Sequence, residues 1–325
     1  MTYSLLHRSP CCVEVWVFGS VGGEKRISKT LPYFHTPHSL QDAPGFKGEM
    51  LLADAMHNPA QHTDRCVIAV VASKEVGGRA YVECLSAREQ ARYAGIGHPD
   101  RKARWLAGRL VAKYLFLMQM NRAGTIGAGP PVLVPITFER LAAFLPWMYR
   151  QVEVLPPDTT SRGAPRLTWG GEACPAHRVS LSHANGTTCA CIAGGSALGI
   201  DLERSVPRIH AFYQGNFTEA ERHWVAQTAS KTRFSPAWLY TLLWTLKESV
   251  LKSNVLEKEI SVWDFPRIDV QLQVDPRQLT AASQQARLGD QFLLSTARVS
   301  APSCRADVRI AMTATRKLVL TVLNT

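Results

Sequence analysis

The chain has 325 residues, 46% of them hydrophobic and 19% charged, which excludes a disordered acidic chain and a low-complexity one. At roughly 150 residues per domain this length suits two globular halves. Lys and Arg number 37 against 26 Asp and Glu, a net charge of +11, so an anionic partner is expected: nucleic acid, a membrane surface, an acidic protein or a polyphosphate ligand.

Residues 67–84 hold two short runs rich in Val, Ala and Tyr, separated by Lys74, Glu75, Gly77 and Gly78. They read as a hairpin or two adjacent strands. Ser86 with Glu89 three residues on is a capping box that opens a helix. A longer helix is expected over about 100–120. Leu106, Leu110, Tyr114 and Leu117 lie on one of its faces and Lys102, Arg109 and Lys113 on another, the basic row reading most simply as a solvated face. Gly124, Gly127, Gly129, Pro130, Pro131 and Pro135 break the pattern, a helix is expected over about 138–150, and Pro156, Pro157, Gly163 and Pro165 break it again. The division into halves therefore falls at 1–170 and 171–325.

In the second half, 179–183 and 187–193 read as strands joined by Asn185-Gly186, a two-residue hairpin turn, with a third strand over 198–203. Thr218 with Glu221 forms a second capping box, and Ser235-Pro236 starts a helix that runs to about 253. Leu239, Leu242, Leu243, Leu246 and Val250 form its core stripe. From 265 onward further strands are expected, with a polar loop over 275–290. The element order is α+β. Eight cysteines without paired spacing argue against a zinc or dithiol site. No secretory cleavage pattern or bilayer-length apolar run is visible, which fits a cytoplasmic protein without a membrane role.

Alternation along Leu198-Gly199-Ile200-Asp201-Leu202-Glu203 sends Asp201 and Glu203 to the same side. Two adjacent carboxylates suit a hard cation if a third joins them, and otherwise a strand edge paired with Lys or Arg. On the helix that starts at Pro236, Thr241, Thr245, Glu248 and Lys252 line up opposite the core stripe. Glu248 and Lys252 could equally form an i, i+4 surface pair contributing about 0.3–0.5 kcal/mol. Ser182 and His183 point to opposite faces of their strand and cannot form a nucleophile dyad. No P-loop, dinucleotide-binding glycine fingerprint or HExxH occurs, so nucleotide hydrolysis, hydride transfer and zinc proteolysis lose their usual support.

Taken in order, Val179-Ser180-Leu181-Ser182-His183, Gly199-Ile200-Asp201-Leu202-Glu203 and Trp244-Thr245-Leu246-Lys247-Glu248-Ser249-Val250-Leu251-Lys252 closely resemble the surfactin-type 4′-phosphopantetheinyl transferases. Leu85-Ser86 with Glu89 and Arg92, Arg104-Trp105-Leu106-Ala107-Gly108-Arg109 with Lys113, and Arg162-Gly163-Ala164-Pro165 are similar to that family too. The resemblance covers about 85–253 and leaves 1–80 unmatched, with insertions around 124–150 and 271–290. It implies two similar α+β halves related by a pseudo-twofold, with the ligand in the cleft between them. It also implies a Mg²⁺-dependent transfer of phosphopantetheine from coenzyme A to a serine of an acyl or peptidyl carrier protein by a monomeric enzyme. By motif position Asp201, Glu203 and Glu248 would hold Mg²⁺. Arg92, Arg104, Arg109, Arg162, Gly163, Ser182 and His183 would bind coenzyme A, and Glu248 and Lys252 would be catalytic. The competing expectations are a basic nucleic-acid-binding protein and an inactive transferase-like scaffold. The matched basic positions cluster by the proposed cleft instead of covering one face, and all three carboxylates are present, so neither is preferred.

Overall fold

The computed structural model describes residues 67–73, 79–121, 132–135, 146–156, 165–194, 197–232, 234–253, 255–256, 262–274, 279, 293–301, 304–314 and 318–324. Strand β1 (Val67–Ala72) is followed by short helix α1 (Arg79–Val82), α2 (Ala87–Ala94) and the long α3 (Pro99–Asn121). Strand β2 (Val132–Pro135), helix α4 (Pro146–Gln151), strands β3 (Val152–Leu155), β4 (Arg166–Trp169) and β5 (Glu172–Ala173), and the hairpin β6 (Arg178–Ala184) and β7 (Thr187–Ala193) come next. Strand β8 (Leu198–Arg204) leads into helices α5 (His210–Asn216), α6 (Glu219–Lys231) and α7 (Pro236–Ser253). A 3₁₀ turn over Val262–Arg267 and strands β9 (Asp269–Gln273), β10 (Leu293–Ala301), β11 (Cys304–Ala314) and β12 (Leu318–Asn324) complete the chain.

One sheet runs β2-β1-β7-β6 with β2 parallel to β1; a second runs β8-β12-β11-β10-β9, antiparallel throughout; β3-β4-β5 form a small third. Alternation decides which residues fill each layer. Ala69, Val71, Ala190 and Ile192 face α3, with Leu106, Leu110 and Phe116 in the same core. The opposite faces of β1 and β7, through Ile68, Cys189 and Cys191, meet Leu198, Ile200, Leu202, Leu320 and Val322 of the second sheet. The far side of that sheet packs Val299, Ile310, Met312 and Val319 under Leu239, Leu243 and Leu246 of α7. The layers are therefore helix, sheet, sheet, helix. The hairpin 178–193 hydrogen-bonds to β1 and so shares its sheet, although it follows the break at 156–165.

The sheets meet at their edge strands. Along one side of β8, the Ile200 and Leu202 amides donate to the Ser180 and Ser182 hydroxyls of β6, at 3.1 and 3.2 Å. Two serine side chains thus do the work of a backbone ladder and keep the edge of β8 satisfied.

One polar brace occurs twice. In the first, the Ser86 hydroxyl accepts from the Glu89 amide, and Glu89 accepts from the Ser86 and Val154 amides. Lys113 lies 2.5 Å from Glu89 and donates to the carbonyls of Cys84 and Tyr149. In the second, Thr218 and Glu221 cap α6, and Glu221 accepts from Val270. Lys247 lies 2.7 Å from Glu221 and donates to the carbonyls of Asn216 and Phe265. Each capping hydroxyl also donates to a carboxylate one residue before the strand amide, Glu153 or Asp269. Both lysines are fully buried. Burial pulls the Lys113 and Lys247 ammonium groups below the ordinary lysine value, and the glutamate beside each opposes that shift.

Four expectations change. The run at 79–84 is a short helix, because the Cys84 and Leu85 amides close turns onto the carbonyls of Tyr81 and Val82 as the chain enters the Ser86 cap. Of the basic row Lys102, Arg109 and Lys113, only Lys102 escapes the buried class, because α2 and α4 cover that side of α3. Within 124–150, Val132–Pro135 joins the first sheet beside β1, and the described helix there begins at Pro146. Helix α5 was not foreseen; its N-cap, Ile209, has no side-chain capping bond. The loop expected at 275–290 lies outside the described residues, Leu279 excepted.

Candidate active site

The turn Asn185-Gly186 takes positive φ at both residues, 50° and 74°, as the two-residue hairpin demands. It fixes the register of β6 so that Ser182 is buried toward β8 while His183 is exposed on the other face. On β8, Leu198, Ile200 and Leu202 enter the core between the sheets, which turns Gly199, Asp201 and Glu203 toward α7. Gly199 is where strand and helix touch: a Cβ there would lie 1.8 Å from the Ser249 carbonyl oxygen and 3.0 Å from the Ser253 amide nitrogen. The helix is pinned from the other side by the Ser249 and Thr321 hydroxyls, 2.9 Å apart. The turn of α7 that carries Glu248 and Lys252 is thereby held over Asp201.

Asp201 is 3% exposed. Its Oδ1 accepts from Lys252 Nζ at 2.5 Å and from the Ser182 hydroxyl at 2.8 Å. Lys252 also donates to that hydroxyl at 3.3 Å. Asp201 Oδ2 is buried and has no hydrogen-bond partner among the described residues. Such a carboxylate oxygen is costly unless a further cation or donor meets it. Burial, and the charge of Asp201 after it, raise the Glu203 carboxyl above its ordinary range. Burial raises Glu248 as well; Lys252 opposes the shift, and Asp201 and Glu203 reinforce it. For Lys252 burial acts downward, but Asp201 and Glu248 outweigh it and hold the ammonium above the ordinary lysine value. Burial, Arg104 and Lys252 all push the His183 imidazole down, against Asp201.

Arg104, Ser182, His183, Asp201, Glu203, Glu248 and Lys252 thus form one electrostatic neighbourhood. Arg92 and Arg109 form another around Glu89: Arg109 is 8% exposed, stacks over Trp105 at 4.6 Å, leaves Nε without a partner, and is lowered to about 10 by burial. Arg162 and Gly163 lie outside the described residues. Two readings of α7 are corrected. Thr241 and Thr245 are buried and bond to backbone carbonyls of their own helix, so their row is no solvent face. Lys252 reaches across to Asp201 instead of forming the i, i+4 pair with Glu248. Among the described residues, no three His, Cys, Asp or Glu side chains converge at metal-binding spacing; a lysine ammonium stands against Asp201.

The motif reading underused Gly199, whose signal was an isolated glycine inside a strand, the usual mark of close backbone approach. It also passed over Arg204, Arg208, Tyr213, Tyr240 and Trp244, which with Glu203 line a cavity of about 210 Å³ beside the carboxylates. Among the described residues no helix is long and apolar enough to cross a membrane.

No curated protein gives a significant match to the chain. Residues 197–311, which carry Asp201, Glu203, Glu248 and Lys252, match the family model of the 4′-phosphopantetheinyl transferase superfamily, and the match supports a transferase of that superfamily.

Proposed function

We propose that the chain is a surfactin-type 4′-phosphopantetheinyl transferase that moves phosphopantetheine from coenzyme A to a serine of an acyl or peptidyl carrier protein and releases adenosine 3′,5′-bisphosphate. It would act in the cytoplasm as a monomer. The observation that carries this reading is Asp201: a buried carboxylate with one oxygen unpartnered, electrostatically coupled to Glu203 and Glu248. An all-oxygen donor set of this kind fits Mg²⁺. When bound, Mg²⁺ would neutralise pyrophosphate charge. The repeated brace supports two related halves, with coenzyme A between them.

The chain's own residues supply positioning and proton transfer. Arg104 and His183 would hold the nucleotide end, with Ser182 beside them and Arg92, Arg109, Arg162 and Gly163 contributing to the same ligand. Glu248, whose raised pKa suits a proton acceptor, would take the proton of the carrier serine. The serine oxygen bonds to the β-phosphorus, and the bond from that phosphorus to the bridging oxygen breaks. Lys252 would stabilise or protonate the departing bisphosphate.

The test is the intact mass of several carrier proteins after incubation with the protein, coenzyme A and Mg²⁺. A phosphopantetheine-sized gain is expected, and its absence with every carrier refutes the reading. Asp201→Ala and Glu248→Gln are expected to abolish the gain with the circular-dichroism spectrum unchanged. Lys252→Ala should impair turnover more than stability; near-parental turnover in all three variants sinks the assignment.

His183 offers a pH test. Its pKa is lowered, so at pH 7 the free imidazole is neutral and gains charge only below about 6.5. Protonation adds positive charge at a phosphate site, so coenzyme A affinity should rise on acidification through that range. Isothermal titration should show the rise in the parent and lose it in His183→Ala; an identical pH profile in both excludes His183 from the phosphate contact.

A further inference from the structure

We infer that Lys252 is a resident counter-cation on Asp201, one that a divalent cation must displace. The inference rests on the proposed metal site and adds an order of events to it. Asp201 is 3% exposed, and its Oδ1 carries the Lys252 ammonium at 2.5 Å together with the Ser182 hydroxyl. A carboxylate at that depth is strongly destabilising without a partner, and Lys252 supplies one in the cation-free protein.

The two members of the pair differ in mobility. Asp201 is fixed on β8 by the approach of α7 at Gly199. The Lys252 side chain is 30% exposed and ends a flexible four-carbon stem. A cation drawn to the unpartnered Oδ2 arrives within a few ångströms of a full positive charge, and like charges at such separation repel strongly inside a protein. The lysine is the member that can leave, and solvent is open to it.

Cation binding and the Lys252 charge are therefore antagonistic, and linkage makes the effect reciprocal: a bound cation lowers the affinity of Asp201 for the ammonium. A released Lys252 stays tethered to the same turn of α7 as Glu248, free to meet an anion. In the absence of the cation the same side chain is tied up, so Lys252 would become available to a phosphate group only after the site is loaded.

The experiment is Mn²⁺ binding to the full chain, followed by the electron paramagnetic resonance signal of free Mn²⁺, without coenzyme A or carrier. Lys252→Met is expected to bind Mn²⁺ about tenfold more tightly than the parent, because a like charge is removed from the first few ångströms. Lys252→Arg, which keeps the charge, should stay near the parent. Adding Asp201→Asn to Lys252→Met should abolish the gain, with circular dichroism verifying the fold of each variant. Equal or weaker binding in Lys252→Met, while Asp201→Asn alone still weakens binding, overturns the counter-cation role and leaves the metal site standing. Failure of every form to bind Mn²⁺, or indifference of binding to Asp201→Asn, overturns the metal site and the counter-cation role together.

Discussion

Gly199→Ala is expected to be among the most damaging single substitutions in the chain. The added Cβ would sit 1.8 Å from the Ser249 carbonyl oxygen and 2.8 Å from its carbon. Both are main-chain atoms of α7, so no side-chain rotation relieves the clash. Strand and helix would have to separate, opening the apolar contact of Leu246 and Val250 with the second sheet. Overpacking of a tight core commonly costs about 1–3 kcal/mol, and a clash between two backbones belongs at or above the top of that range. The urea midpoint should fall accordingly. Phosphopantetheine transfer should be lost even at temperatures where the variant stays folded, since Asp201 and Glu203 would no longer sit under Glu248 and Lys252. Parental stability and turnover in Gly199→Ala would show that the strand and helix are not in contact there.

How much of this was legible in the sequence depends on how local the cause is. Asn185-Gly186, the Ser86 and Thr218 capping boxes and the Ser235-Pro236 start all act within four residues, and each appears where its chemistry puts it. Alternation on β8 likewise separated Asp201 and Glu203 from the buried Ile200 and Leu202. The fates of Lys113 and Lys247 could not be read that way. A lysine in a helical row looks solvated until its glutamate arrives from another helix and two carbonyls arrive from elsewhere in the chain. The same holds for Lys252: helical spacing offers it Glu248, whereas β8, brought close by Gly199, offers a more deeply buried carboxylate.

The two braces also show where the halves diverge. The residue after Lys113 is Tyr114, 5% exposed in the first core; the residue after Lys247 is Glu248. One turn further on, Met118 stands where the second helix has Lys252. A shared supporting network is thus followed by apolar packing in one half and by ionisable groups in the other, which is why the proposed chemistry is confined to the β8 and α7 side.

Because the braces are alike, their loss should cost alike. Lys113→Met and Lys247→Met each leave a glutamate that is 3% or 2% exposed without its ammonium, and two carbonyls without a donor. Breaking a buried pair from one side costs about 3–5 kcal/mol. Urea denaturation should show losses of that order for both variants, although neither lysine belongs to the proposed catalytic set. Adding Glu221→Leu to Lys247→Met should restore part of the loss by removing the stranded charge. Recovery should stay incomplete, because the Thr218 and Val270 amides lose their acceptor. A loss below about 1 kcal/mol in either single variant, the level of an exposed ion pair, would mean that the lysine is not buried against its glutamate in solution. Closely matched losses in the two variants would show that both halves depend on their brace to the same degree.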